Sequence, residues 1–477
     1  MVEAGMTSPK VRRTGLVAAV LLLLGFATAC QPGGTSVTTD PALYPGFQPS
    51  VVDYVNRCDP EVDTEVTVSV PAGTTASVDG QPAQGGSFTA QVDQGIGDRF
   101  SIRITDGAGT RTHHVRCLPA DFPTWSAQRT GTPQAQYYAT ALIQGFSPAY
   151  QVVFDTNGVP VWWTKQKNPS FLFEPLPNGH IALELIDGPT QELSSTGAVA
   201  RTIDTVDGPS DFHDVRLLPD GNYVLATAQR QQADLSAWGQ PNDVTVINHV
   251  FQVLTPAGDL VWSWDTAQHI PVSETTSSWR TEPEPVTGLA DPWHYNSVEW
   301  TGDGFIVSFR HLDAIYKIDY PSGAISWKIG GTPRAESLVV VGDPVFTGGG
   351  SFSGQHDARL LPDGTVTLYD NGSRATPARS PRAVRYRLDL TARTATHVEQ
   401  VTDPGSPFSG CCGSARKLPG GNWVVGFGGT PWFTEQRPDG SRVIRFSGTF
   451  VYRAVPILPG RIAPSAFRAG MDAQYAS

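Results

Sequence analysis

Two stretches of this chain are almost the same: His213-Asp-Val-Arg-Leu-Leu-Pro-Asp-Gly221 and His356-Asp-Ala-Arg-Leu-Leu-Pro-Asp-Gly364. Each ends in an Asp-Gly turn and is followed by an apolar run, as expected for two strands joined by a tight hairpin. A strand–turn–strand unit that recurs along a chain is typical of ring-shaped β folds, because each unit buries its apolar faces against the next. The repeat therefore predicts a ring in which histidines at equivalent places converge.

Weaker copies of the same turn end at Gly179, Gly304 and Gly421. Eight residues before the final glycine of each copy stand the equivalent positions Phe171, His213, Asn296, His356 and Gly413. We therefore predict an all-β fold with a six-bladed β-propeller over residues 125–460. A last strand at 449–455 is expected to pair with the first unit and to remove the free sheet edges that promote aggregation.

The first 30 residues have the pattern of a bacterial lipoprotein signal peptide. Basic residues precede the apolar run 15–29, which is about as long as a signal-peptide core and short for a membrane span. Small residues then precede Cys30, as in the lipobox whose cysteine becomes the lipid-modified first residue. Ordinary secretion with cleavage nearby is the alternative. We expect a protein outside the cytoplasm, anchored to the cell membrane or secreted, with residues 31–46 as a flexible tether.

A small β-sandwich domain is predicted for residues 47–120, where alternating strands lie between Cys58 and Cys117. Export and a modest core favour a disulfide between these two cysteines. Cys411 and Cys412 are adjacent, and both a strained vicinal disulfide and a pair of thiols are open interpretations. Residues 461–477 are interpreted as a C-terminal tail.

Charge and motif content exclude several classes of function. The formal net charge is −11, and no basic run follows the signal region, which argues against nucleic-acid binding. The signatures of P-loop nucleotide binding, dinucleotide binding, the serine nucleophile elbow and HExxH metallopeptidases do not occur.

Side chains suited to a tetrahedral oxyanion are predicted to converge at one mouth of the channel. His294 lies two residues before Asn296 and therefore on the same side of a strand. Arg310 and Asn371 each follow a strand one hairpin arm beyond an equivalent position. Arginine offers a planar fork of donors to sulfate or phosphate, and histidine can donate hydrogen bonds, move protons or act as a nucleophile. We expect His213, His294, His356 and Arg310 to be catalytic, and Asn296 and Asn371 to bind substrate.

Two other interpretations fit single residues of this set. Histidines at strand ends can simply bond backbone groups and hold neighbouring blades together, in a non-catalytic propeller that binds a glycan, a peptide or a partner protein. Histidine is also a common metal ligand, but no carboxylate stands at an equivalent position. Asp214 and Asp357 are expected to point to the opposite face.

Together these segments resemble the bacterial arylsulfate sulfotransferases. The resemblance rests on Phe212–Gly221, Trp293-His-Tyr-Asn-Ser-Val298, Ile306-Val-Ser-Phe-Arg310, Gln355–Gly364 and Tyr369-Asp-Asn-Gly372. It covers most of the chain, including a small β-domain ahead of a six-bladed propeller.

The resemblance implies an exported enzyme that moves a sulfuryl group from a phenolic sulfate to another phenol, without a nucleotide sulfate donor, a metal or a cofactor. It implies that His356 is the transiently sulfated residue and that His213, His294, Asn296 and Arg310 belong to the sulfuryl site. The sequence departs from the family in one respect, since well-known periplasmic members carry a disulfide ahead of the nucleophile where this chain has no cysteine.

Overall fold

The computed structural model describes residues 34–143, 150–168, 170–186, 188–283, 287–346, 352–377 and 379–476. The predicted signal peptide and lipid-modified Cys30 lie outside these residues. In the ranges just given, no helix is long and apolar enough to cross a membrane.

The N-terminal part of the chain forms two sheets around one core. Its strands are β1 (Ser36–Asp40), β2 (Asp53–Asn56), β3 (Thr64–Ser69), β4 (Thr75–Val78), β5 (Ser87–Val92), β6 (Arg99–Asp106) and β7 (Gly109–Cys117). The strand order is β1-β3-β5 in one sheet and β2-β7-β6-β4 in the other. Alternate residues point inward, so that Val66 and Val68 of β3 share a buried cluster with Phe100 and Ile102 of β6.

Two sequence interpretations of this region have an outcome in the structure. Cys58 and Cys117 are disulfide-bonded, as predicted, with their Cα atoms 5.5 Å apart. The tether interpretation is wrong from Ser36 onward, because β1 pairs with β3 from Ser36↔Ser69 to Asp40↔Glu65. The Gly/Ser/Thr-rich composition concealed this strand, in which Val37 is buried.

The rest of the chain is built from four-stranded antiparallel units. The strands are β8 (Ser126–Arg129), β9 (Tyr137–Leu142), β10 (Tyr150–Asp155), β11 (Pro160–Lys165), β12 (Ser170–Pro175), β13 (Ile181–Leu185), β14 (Thr190–Leu193), β15 (Val199–Ile203), β16 (Arg216–Leu217), β17 (Tyr223–Ala233), β18 (Val244–Leu254), β19 (Leu260–Asp265), β20 (Tyr295–Trp300), β21 (Gly304–Phe309), β22 (Ala314–Asp319), β23 (Ile325–Gly330), β24 (Ser337–Val341), β25 (His356–Leu360), β26 (Thr365–Asp370), β27 (Arg382–Asp389), β28 (Thr394–Val401), β29 (Ser414–Lys417), β30 (Trp423–Gly426), β31 (Trp432–Gln436), β32 (Arg442–Ser447) and β33 (Ala454–Ile457).

The units follow chain order as β12–β15, β16–β19, β20–β23, β25–β28 and β29–β32, while β9–β11 are completed by β33. β24 runs parallel to both β23 and β28 and joins two units into a nine-stranded sheet. The fold is therefore all-β, with propeller-like sheets. The turns of the repeat adopt the left-handed backbone that glycine favours, with φ of 88° at Gly221 and 77° at Gly364.

The C-terminal strand pairs with the first unit of the chain, but its residues differ in part from those predicted. β33 pairs with β9 from Ala454↔Thr140 to Ile457↔Tyr137, slightly later than the predicted 449–455. β8 in turn pairs with the outer edge of β32.

Helices are few. They are α1 (Thr266–His269), α2 (Pro464–Gln474) and the short 3-10 turns Ser236–Trp238, Val272–Glu274 and Arg310–Leu312. The C-terminal tail contains α2, which buries Phe467 and Met471 in the core around β9–β11. Asp472 of α2 pairs with Arg99 and Arg116, so this helix also ties the N-terminal sheets to the units.

A buried group of charges, here called the inner ion-pair network, lies along the first strands of several units. Its members are Glu174, Asp214, Arg216, Glu299, Asp357, Arg359, Arg416 and Arg453. Asp357 contacts Arg359 at 2.8 Å and Arg416 at 2.7 Å, and its Oδ2 accepts a hydrogen bond from the Ala415 N–H. A cavity of about 430 Å³ borders this network. Because the network balances carboxylates with guanidinium groups, it is a structural element that holds neighbouring units together.

Candidate active site

The strand ends bring the predicted residues into one buried region. His213 and His294 lie in the loops that lead into β16 and β20, and His356 is the first residue of β25. Arg310 follows β21 directly, and Asn371 follows β26. The rings of His213 and His294 lie 5.2 Å apart. All of these side chains are less than a tenth exposed.

His213 and His294 are each held by a carboxylate that comes just before them in the chain. His213 Nδ1 lies 2.7 Å from Oδ1 of Asp211, and His294 Nδ1 lies 2.8 Å from Oδ2 of Asp291. The same aspartates accept the backbone N–H of their histidine. Burial lowers the pKa of His294, although Asp291 partly opposes this effect. The side-chain hydrogen bonds found for both rings among the described residues are made by Nδ1, which leaves the Nε2 atoms for a substrate.

His249 of β18 lies between the two carboxylates. Its Nδ1 is 3.4 Å from Asp211 Oδ2, and its Nε2 is 3.2 Å from Asp291 Oδ1. Burial alone would lower the pKa of His249, but the two carboxylates outweigh it and raise the pKa to about 10. For Asp211 burial acts to raise the pKa, and the histidines nevertheless hold it below its ordinary value.

Arg310 is a buried cation whose described hydrogen bonds go to neutral groups. Its Nη2 donates to the Gly410 carbonyl at 2.9 Å, and its Nη1 lies 2.7 Å from His311 Nε2. Its guanidinium carbon stands 4.2 Å from the centre of the Trp279 ring. Within the described ranges, Nε of Arg310 has no hydrogen-bond partner and no carboxylate lies within ion-pair distance of the guanidinium. A buried cation with donors to spare is suited to an incoming anion.

His311 keeps one face of Arg310 in place. Its Nδ1 donates to the Asp291 carbonyl at 2.6 Å, so that Nε2 is left to accept from Arg310. Burial, together with the charges of His294 and Arg310, holds the pKa of His311 well below its ordinary value. The ring is therefore a neutral acceptor.

His356 is held as a neutral ring with a defined tautomer. Its Nδ1 lies 2.8 Å from the Gly354 carbonyl and 2.9 Å from Asn371 Oδ1, both acceptors. Its Nε2 accepts the backbone N–H of Cys412 at 3.0 Å. Burial first and the Arg310 charge second keep the pKa of His356 well below 6.5. The lone pair on Nε2 is therefore available to an electrophile that replaces the Cys412 hydrogen bond.

The segment 409–412 forms a wall of the site through its backbone. Besides the contacts to Arg310 and His356, its Cys412 carbonyl accepts from Nδ2 of Asn371 at 2.9 Å. That Nδ2 also donates to Ser409 Oγ. Cys411 and Cys412 are free thiols, with Cys411 half-buried. The hydrogen bond from Cys412 and the nearby Arg310 lower the pKa of the Cys411 thiol.

Asn296, a buried residue of β20, contacts the segment that leads to His356. Its Nδ2 donates to the carbonyl of Gln355 at 2.7 Å, directly before His356. Its Oδ1 has no hydrogen-bond partner among the described residues.

Aromatic rings border the histidines. The ring of Phe171 contacts both Phe212 and Tyr452, with ring centres 5.7 Å and 5.3 Å away. Phe212 stacks on His213 at 4.3 Å. Phe171 and Phe212 are partly exposed, so this edge can accept an apolar group.

The backbone is unusual at three places in or beside the site. His294, Asp357 and Cys412 have φ of 47°, 57° and 65°, in the left-handed region that side chains other than glycine rarely adopt. Such conformations cluster at functional sites, where the surrounding contacts hold them.

The sequence interpretation missed Asp211, His249, Asp291 and His311. Asp211 and Asp291 stand two and three residues before a predicted histidine, and His311 follows Arg310 directly. Their proximity in sequence is a usable signal. His249 has no such signal, since it lies within a long strand and reaches the site only through tertiary packing.

Comparison with known proteins gives one clear match. The family model described as Arylsulfotransferase (ASST) matches residues 127–449. A search of curated proteins gives no match.

Three similar solved structures are distant from this chain. A protein of unknown function from Bacteroides caccae has 12% identity and a TM-score of 0.43, covering 68% of this chain and 99% of that one. A catalytically inactive virginiamycin B lyase from Staphylococcus aureus, with quinupristin, has 9% identity and a TM-score of 0.35, covering 68% and 88%. A putative 6-phosphogluconolactonase from Bacteroides fragilis has 12% identity and a TM-score of 0.38, covering 84% and 99%. Similarities of this size carry no argument about function.

Proposed function

The chain belongs to the arylsulfotransferase (ASST) family, and from this we propose that it transfers a sulfuryl group from a phenolic sulfate ester to another phenol through a sulfated His356. The reaction is ping-pong and uses no nucleotide sulfate donor, metal or cofactor. The two partners are small phenolic molecules.

The proposal rests on the properties of two buried groups of the site, the Arg310 guanidinium and the His356 ring. Arg310 is a buried cation that lacks a carboxylate and has an unused Nε–H among the described residues. His356 is a buried neutral ring whose Nε2 lone pair faces a single exchangeable N–H. An anion bound to the first group brings its electrophilic centre toward the second.

In the first half-reaction, Arg310 binds the sulfuryl oxygens of the donor, and Asn296 donates to them from the second N–H of its Nδ2, whose first N–H goes to the Gln355 carbonyl. His356 Nε2 attacks sulfur, the new N–S bond forms as the S–O bond to the aryl group breaks, and the electron pair leaves with the phenolate oxygen. A proton from Nε2 of His294 or His213 goes to that oxygen. Asn371 Oδ1 and the Gly354 carbonyl accept from Nδ1–H and stabilise the positive charge that develops on the ring. Asn371 therefore orients His356 in this scheme, because its amide atoms are occupied by protein partners.

In the second half-reaction, an acceptor phenol gives its proton back to the histidine that acted as acid, and its oxygen attacks the sulfur carried by His356. The new S–O bond forms as the N–S bond breaks, and the electron pair returns to His356 Nε2. The partly exposed edge formed by Phe171 and Phe212 suits the aryl group of either partner.

We also propose that the described units make up a six-bladed propeller preceded by a small sandwich, and that the protein is an exported lipoprotein. Cell fractionation tests the anchor. Cys30→Ser should release the protein from membranes, and unchanged membrane retention would contradict lipidation at this residue.

Mass spectrometry of the intact protein tests the function. After exposure to nitrophenyl sulfate without an acceptor, the wild-type protein should gain one sulfuryl group on the peptide that contains His356, and phenol should remove it. His356→Ala should lose both the adduct and turnover. His213→Ala and His294→Ala serve as matched controls, because nitrophenolate needs little protonation and both should keep a slow adduct.

The location of the adduct separates the outcomes. A sulfated peptide that maps to His213 would overturn the assignment of the nucleophile. If no adduct and no turnover occur with several donors and acceptors, the protein is a non-catalytic propeller.

A further inference from the structure

The buried side chains of Asp211, His249 and Asp291 form a bridge between two of the site histidines. Asp211 holds Nδ1 of His213, Asp291 holds Nδ1 of His294, and the remaining carboxylate oxygens face the two nitrogens of His249. His249 and both carboxylates are less than a twentieth exposed. No step of the mechanism above uses His249.

Two buried carboxylates so close together require a cation, since an unpaired buried charge is strongly unfavourable. His249 is the group that lies between them. With its ring doubly protonated, His249 donates from Nε2 to Asp291 Oδ1 at 3.2 Å. Its Nδ1–H faces Asp211 Oδ2 at 3.4 Å, which is an ion-pair contact without hydrogen-bond geometry.

We propose, on the basis of the proposed function, that His249 is a positioning residue: a permanent imidazolium that holds the Asp211 and Asp291 carboxylates and so keeps the proton on Nδ1 of both His213 and His294. Nε2 of each site histidine is then directed to the substrate. Two carboxylates and one imidazolium leave the bridge with one negative charge, which lies next to the histidine that delivers a proton in the proposed mechanism. That proton is the one that the leaving phenolate needs.

The surroundings of His249 support a fixed charge. The titratable groups in contact with it are Asp211, Asp291 and Tyr295. The two carboxylates in turn hold His213 and His294. Burial raises the pKa of Tyr295 well above its ordinary value, so Tyr295 stays neutral. The charge of the bridge itself is therefore set by His249 and the two carboxylates, while the buried Glu184 carboxyl acts on Asp211 and the Arg310 charge acts on His294.

Imidazole ¹⁵N NMR of the resting wild-type protein tests the charge without any substrate. One histidine, identified by its absence in His249→Gln, should remain doubly protonated from pH 5 to about pH 9. His397→Gln is the matched control for the assignment, since His397 lies on β28, away from the site. A His249 ring that is neutral or titrates below pH 8 would overturn the proposal.

The positioning role is tested by the kinetics of turnover of an aryl sulfate whose phenolate is a poor leaving group. In His249→Gln the two carboxylates act on His213 and His294 without the intervening cation, and those rings hold a proton more tightly. In the plot of kcat/KM against pH, the alkaline limb should move to higher pH by about one pH unit or more. The value of kcat should fall at least tenfold. His249→Lys restores the charge and should return the limb toward the wild-type position.

The NMR and the kinetic experiments distinguish failure of the positioning role from failure of the proposed function. If the alkaline limb of a folded His249→Gln protein coincides with that of the wild type, the positioning role is wrong even though the transferase remains. If no donor is turned over, the function proposal fails, while the NMR arm still decides whether His249 carries a fixed charge.

Discussion

Arg310 shows at the scale of one residue how the site is prepared for an anion. Buried arginines usually face carboxylates, as Arg359 does in the inner ion-pair network. Arg310 instead has a carbonyl, a neutral histidine and a tryptophan ring as its neighbours. Its positive charge therefore remains available to a ligand.

Removing this charge should slow the reaction strongly. We expect Arg310→Ala to lower kcat/KM by about 10²- to 10³-fold, the usual effect of deleting one oxyanion donor. Arg310→Lys should lie between this variant and the wild type, because lysine keeps the charge and loses the planar fork. Initial rates with nitrophenyl sulfate measure the effect. The exposed Arg387→Ala is the control, and a change of less than threefold in Arg310→Ala would contradict the assigned role.

The acceptor on His356 Nδ1 sets the charge of the nucleophile. In Asn371→Asp a carboxylate replaces the amide oxygen 2.9 Å from Nδ1, and a nearby negative charge raises the pKa of a histidine. Since a protonated ring cannot attack sulfur, the acid limb of adduct formation should move to higher pH, with a larger loss at pH 6 than at pH 8. The wild type should stay active well below pH 6.5, because its His356 pKa is lowered. Equal losses at both pH values would contradict this explanation.

Candidate site residues could be named from the sequence where a repeat or a motif marked a strand end. The hairpin repeat located His213 and His356, and the strand ends located Arg310 and Asn371, because a strand end is visible as a change in hydrophobic pattern. The same reasoning could not find His249 or the Cys412 N–H. Both reach the site through packing between loops and strands that are far apart in sequence.

At the scale of elements, turn glycines and alternating strands carried most of the prediction. The strands predicted between Cys58 and Cys117 appear as β3, β5, β6 and β7. β1 and β24 were missed, because one lies in a Gly/Ser/Thr-rich segment and the other joins two units through parallel pairing. Parallel pairing between distant segments leaves no local signal in a sequence.

The disulfide belongs to the same scale. The bond between Cys58 and Cys117 joins residues 59 positions apart, and it restricts the conformations of the unfolded chain more than those of the folded chain. We expect Cys58→Ala/Cys117→Ala to lower the free energy of unfolding of the N-terminal sheets by about 2–5 kcal/mol without a change in kcat. Urea unfolding with and without reductant measures this. Reductant should destabilise the wild type to the level of the variant and leave the variant unchanged; a wild type insensitive to reductant would refute the stabilising role.

At the scale of the molecule, the inner ion-pair network links units that are distant in the chain. Asp357 meets arginines from β25, β29 and the segment before β33. Those arginines hold the pKa of Asp357 well below its ordinary value against the effect of burial. Its contribution to stability is therefore complete above pH 4 and is lost as the pH falls through the lowered pKa.

Asp357→Asn keeps the shape and the left-handed backbone, which asparagine tolerates, but leaves the arginines short of one carboxylate. We expect a loss of about 3–5 kcal/mol in the free energy of unfolding at pH 7, as for other broken buried pairs. The difference in the free energy of unfolding between this variant and the wild type should become smaller at acidic pH, where Asp357 itself becomes protonated. Denaturant titrations at several pH values measure both effects, with the exposed Asp439→Asn as control. Equal stability of Asp357→Asn and wild type at pH 7 would show that the network contributes little.

The closure by β33 also has a consequence for biosynthesis. β9 leaves the ribosome about 300 residues before the strand that completes its unit. At roughly 5–20 residues per second, its edge waits about 15–60 s for a partner. During that interval β9 pairs with β10 on one side and presents its other edge unpaired to neighbouring chains. We therefore expect translation speed and chaperone supply to limit the yield of this protein more than its final stability does.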